Sequence, residues 1–79
     1  MATETEIRDE NLRVRRLQFV VDLVTSVLWQ TDMPVEEAAE LVANVREFAL
    51  RLFPDKGPTY DLLYAPRFRR LMAEKYRVV

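Results

Sequence analysis

Thirteen residues, Leu17 to Trp29, include nine large apolar side chains: Leu17, Phe19, Val20, Val21, Leu23, Val24, Val27, Leu28 and Trp29. A surface helix of a small monomer normally carries one apolar stripe. This segment carries more than a stripe, so it calls for neighbours on two sides. At 100° per residue, Ile7, Val14, Leu17, Val20, Val21, Val24, Val27 and Leu28 form a main face. Leu12, Phe19 and Leu23 widen it sideways, while Arg8, Asn11, Arg15, Gln18, Asp22 and Ser26 share the narrow polar strip. The pattern predicts a long first helix from about Ile7 to Gln30.

A second helix follows the break Gln30-Thr-Asp-Met-Pro34. Thr31 or Asp32 suits its cap, Pro34 its first turn, and Glu36 and Glu37 its positive end. Ala38, Leu41, Val42, Val45, Phe48, Ala49 and Leu52 fall on one face. Of these, Leu41, Val45 and Phe48 are expected in the core. Pro54 ends the helix. Beyond the loop Pro54-Asp-Lys-Gly-Pro58, a short turn over Tyr60–Tyr64 and a helix starting near Pro66 are expected. Tyr64, Phe68, Leu71 and Met72 form the apolar face of that last helix, with Tyr76 at its margin. No segment shows the period-two alternation of a strand.

The expected fold is therefore all-α. A long antiparallel helical hairpin and a shorter C-terminal helix make a three-helix domain over residues 1–79, with residues 1–6 frayed. Seventy-nine residues form one domain and bury little surface for their size. Cysteine and histidine are both absent, which removes disulfides and the usual zinc ligands as stabilising devices. Close helix packing and oligomerisation remain. The second and third segments cannot cover the whole arc of the first helix. A helical-bundle homodimer is the expected closure, since twofold pairs are the commonest homo-oligomers.

Charge and composition narrow the function. Net charge is −1, so there is no global pull toward nucleic acid or anionic membrane. No apolar run is long enough for a membrane span, and the acidic start Met-Ala-Thr-Glu-Thr-Glu is no signal peptide. A cytoplasmic protein is expected. The commonest general base and the strongest ordinary nucleophile are missing, and there is no glycine-rich phosphate loop. The chain is expected not to be an enzyme and to need no cofactor. Glu36, Glu37 and Glu40 form the densest acidic cluster, but helix-end complementation accounts for two of them and no metal site is expected. Asp22 falls on the polar strip as a solvated carboxylate.

Two classes of function remain. The first is a noncatalytic interaction, regulatory or adaptor module that self-associates or holds another protein. Leu12, Phe19, Leu23, Trp29 and Tyr64 are its candidate interface residues, because aromatic and large apolar side chains are enriched at interfaces. The second is a small nucleic-acid-binding protein that uses Arg67, Arg69, Arg70 and Arg77 on phosphates. It ranks lower, because Glu74 has the spacing to pair with Arg70 and Arg77 and the sequence pI of about 5.4 is acidic.

Overall fold

The computed structural model describes residues 3–77, and every regular element among them is an α-helix. The fold is all-α, with four helices among the described residues in place of the expected three: α1 (Glu4–Gln30), α2 (Val35–Leu52), α3 (Gly57–Leu63) and α4 (Ala65–Lys75).

α1 starts three residues before the expected Ile7. The Thr3 hydroxyl accepts a hydrogen bond from the Glu6 amide at 3.1 Å, and Glu4 and Glu6 lie in the positive first turn. The expectation for Met1 and Ala2 lies outside the described residues. α1 ends without glycine or proline, where Thr31 turns extended at φ −107°, ψ 135°. Neither Thr31 nor Asp32 caps α2. Pro34 itself takes the cap position at φ −59°, ψ 149°, and its carbonyl accepts from the Ala38 amide at 3.1 Å. That displaces Asp32 upstream of the first turn.

Phe53 leaves the helical region ahead of Pro54, as residues before proline do. The expected turn at Tyr60–Tyr64 is instead the end of a seven-residue helix with Pro58 in its first turn. Pro66 sits likewise at the start of α4. Both prolines therefore initiate helices, where a missing amide costs nothing. Tyr64 closes α3 and opens α4. Its amide donates to Tyr60 (2.8 Å), and its carbonyl accepts from Arg67 (3.1 Å).

The core is narrow. Leu17, Val21, Val24 and Leu28 line one side of α1, and Ala38, Val45 and Ala49 the facing side of α2; Tyr60, Phe68 and Leu71 close it. Alanines at two of the α2 positions let the helix backbones approach closely. Of the expected trio, Val45 is buried at 2% exposure, whereas Leu41 and Phe48 are only half-buried. At 100° per residue they lie on one flank of the Ala38–Val45–Ala49 line. Val42 and Arg46, on the opposite flank, border α4.

α1 outruns its neighbours. It has 27 residues against 18 in α2, an excess of about 13 Å at 1.5 Å per residue. Arg13 lies over the Phe53 ring, 5.6 Å from its centroid, so α2 returns along α1 and ends near this point. Every residue from Glu4 to Arg16 is exposed. Ile7 and Val14, assigned to the main apolar face, remain open for that reason. The molecule measures 51 × 22 × 16 Å, and its radius of gyration of 14.4 Å exceeds the roughly 11.6 Å of a compact chain of this length. It exposes 6157 Å², against about 5000 Å² for a typical monomer of this mass.

Candidate functional site

Leu12, Phe19 and Leu23 lie within about 40° of one another around α1, roughly opposite the buried line Leu17–Val21–Val24–Leu28. They are 48%, 67% and 50% exposed. The stripe exists because apolar residues occur on α1 at two separate phases of the helical repeat, and α2 and α4 cover only one of them.

The other two candidate interface residues sit elsewhere. Trp29 is half-exposed about 100° around the helix from the stripe, where it lines a shallow cavity with Thr25, Arg67, Arg70, Leu71 and Glu74. Tyr64 is half-buried at the α3–α4 junction, its ring centroid 5.5 Å from that of Tyr60. The structure thus brings together Leu12, Phe19 and Leu23, and leaves Trp29 and Tyr64 apart from them.

The four candidate phosphate-binding residues are exposed; Arg67 and Arg70 line the Trp29 cavity together, and Arg69 and Arg77 lie elsewhere. Arg67 Nη2 stands 3.9 Å from Asp22 Oδ1 and links α4 to α1. Arg69 projects about 160° away around α4, beside the α2–α4 groove. Arg70 borders the Trp29 cavity, and Arg77 lies past the end of α4. Among the described residues, neither Arg70 nor Arg77 reaches Glu74 within ion-pair distance, so the expected pairing is replaced by the Arg67–Asp22 contact. Asp22 is accordingly an exposed carboxylate with a distant cation.

Three tertiary contacts had no counterpart in the sequence reading. Arg46 and Asp61 form a two-pronged bridge, Nε to Oδ1 at 2.8 Å and Nη2 to Oδ2 at 3.0 Å. That hydrogen bonding, helped by the opposite charge, pulls the Asp61 pKa below its ordinary value and raises that of Arg46. The Lys75 ammonium donates to the carbonyls of Leu28 and Thr31 at the C-terminal end of α1. Tyr76 Oη donates to the Met33 carbonyl at 2.7 Å. The Tyr60 hydroxyl is buried with no hydrogen-bond partner among the described residues, and burial raises its pKa.

Two open apolar grooves flank the core. One, of about 220 Å³, runs between α1, α2 and α3 past Val14, Leu17, Ala49, Phe53 and Leu63, with Glu10 and Lys56 at its mouth. The other, of about 320 Å³, lies between α2 and α4 over Val42, Phe68 and Met72, flanked by Arg46 and Arg69. Among the described residues no three carboxylates converge on a common point, and no helix is long and apolar enough to cross a membrane. Compared with protein-family models, with curated proteins and with solved structures, the chain matches none.

Proposed function

We propose that this chain is a noncatalytic helical interaction module, of regulatory or adaptor type and cytoplasmic, that pairs with a second copy of itself through the outward face of α1. The observation that carries this is the Leu12–Phe19–Leu23 stripe, opposite the core and covered by no element among the described residues. Soluble monomers rarely leave a contiguous apolar patch of this kind open. The chain also exposes about 1100 Å² more than a typical monomer of its mass, comparable with the roughly 800 Å² per partner that a stable dimer covers. Nucleic-acid binding by Arg67, Arg69, Arg70 and Arg77 draws less support, because Arg69 lies on another side of α4 from Arg67 and Arg70, Arg77 lies past its end, and Arg67 faces Asp22.

Sedimentation at micromolar concentration tests the proposal. The wild type should run as a dimer. Phe19→Glu with Leu23→Glu should run as a monomer with unchanged helical dichroism, since both side chains are exposed and surface changes disturb a fold little. A wild type still monomeric at about 100 μM, where any pairing is weaker than about 5.5 kcal/mol, would sink it. Salt-sensitive binding to DNA or RNA, lost in Arg67→Ala with Arg70→Ala, would transfer the function to α4.

A further inference from the structure

The outward stripe is too small to hold two copies together by itself. At roughly 200 Å² for a fully exposed large apolar side chain, Leu12, Phe19 and Leu23, exposed by 48%, 67% and 50%, offer roughly 300 Å². A stable dimer covers about 800 Å² on each partner. The contact must therefore spread beyond the stripe, and the two edges of the stripe differ. Arg15, Asp22 and Ser26 border it on one edge, all of them exposed. On the other edge, past Arg16, come Val20 and Val27, both half-buried.

That second edge turns toward the side of the α1–α2 hairpin that α4 leaves open. Thr25 and Trp29 of α1, and Val42 and Arg46 of α2, border α4. Val20 and Val27 lie on the opposite flank of α1, and Leu41 and Phe48 on the opposite flank of α2. All four are half-buried, so each keeps apolar surface open in a shallow valley between the two helices. From Leu17 to Gln30, and from Ala38 to Leu50, no charged side chain stands on that side. Asp22 faces Arg67, Arg46 faces Asp61, and Glu40 and Glu47 lie on the face of α2 away from α1. Arg16, Glu37 and Arg51 stand only at the ends of the valley. The stripe is thus a ridge with an uncharged apolar valley beside it.

Resting on the self-association proposed above, we infer that the second copy lays its own α1 in this valley and receives this α1 in return, so that α1 and α2 of both copies form a four-helix bundle. One chain carries both the ridge and the valley, side by side, which is what a closed twofold contact requires. Ridges of one helix seat in the grooves of its neighbours in such bundles. Phe19 and Leu23 then reach the partner's Leu41 and Phe48, while Val20 and Val27 meet their counterparts beside the twofold axis. The added side chains, with Asn44 between Leu41 and Phe48, enlarge the covered area toward what a stable dimer needs. α4 stays outside, on the far side of each hairpin.

The chain has no cysteine, so a single introduced thiol reports on the valley without interference. Asn44 is exposed on its α2 wall. In the Asn44→Cys dimer, the thiol should react with a maleimide at least about tenfold more slowly than the same thiol in the monomeric Phe19→Glu, Leu23→Glu chain, because thiol reactions depend on access. Phe48→Ala should weaken dimerisation about tenfold or more with helical dichroism retained, as truncation of a central interface aromatic does. Val42→Ala, equally half-buried but facing α4, should leave dimerisation unchanged. Equal labelling rates in dimer and monomer, or a Phe48→Ala chain that dimerises like the wild type, overturns the four-helix arrangement while leaving contact through Phe19 and Leu23 standing. A monomeric wild type overturns both.

Discussion

Phe68 and Phe48 are the same residue type on neighbouring helices, yet they contribute differently. Phe68 is 2% exposed in the middle of the core, whereas Phe48 sits half-buried on the flank of α2. Phe68→Ala removes a fully buried ring and leaves a cavity, for a cost of about 3–5 kcal/mol. In a domain this small that is a large share of the whole stability. Phe48→Ala forfeits burial that is only partial and opens toward solvent instead of a void, so roughly half that cost is expected. Urea titration on the Phe19→Glu, Leu23→Glu background checks the difference without a contribution from dimerisation. Equal losses would mean that Phe48 belongs to the core after all. From sequence the two look alike, since each falls on the apolar face of its helix. What separates them is where the third neighbour docks.

At the scale of elements, α1 reaches its end with no basic residue in its own last turn. Lys75 of α4 supplies the missing cation from across the fold. Lys75→Met should therefore destabilise the protein by about 1–2 kcal/mol, combining the helix-end interaction with carbonyls left unpaired. Lys75→Arg should recover part of it. A loss below about 0.3 kcal/mol in thermal unfolding would show that water replaces the ammonium at little cost. Helix type was legible wherever burial and periodicity agree, as in α2, whose ends Pro34 and Pro54 mark. The capping pattern of Thr3 and Glu6 is equally readable, but a polar segment with nothing to bury also reads as a tail; local capping outweighs the lack of burial. Pro66 is legible as the start of a helix, but Pro58 reads as the last residue of a loop, whereas it too begins a helix. The stripe itself was legible in Leu12, Phe19 and Leu23 as apolar residues in excess of one face. That Trp29 stands apart from it follows from its own phase on α1, whereas the place of Tyr64 and the Lys75 and Tyr76 contacts depend on where α4 docks, which no local spacing encodes.

The whole molecule is a rod, and α1 forms most of its length. The two apolar faces of that helix differ in what completes them. The inner one needs Phe68 and Leu71, and is fastened by Lys75 and Tyr76, which stand 47 and 43 residues downstream of the carbonyls of Leu28 and Met33 that they hold. The outer one is finished by Leu23. Synthesis is vectorial, so a growing chain presents its outer stripe long before its own core can close. On ribosomes, α1 should stay sensitive to protease until a C-terminal extension carries Tyr76 clear of the exit tunnel; protection of chains halted before Phe68 would show the core closing without α4. Through that interval, neighbouring chains on one messenger hold out the same half-made surface to each other, so the pairing proposed above would become available before either copy has become a folded protein.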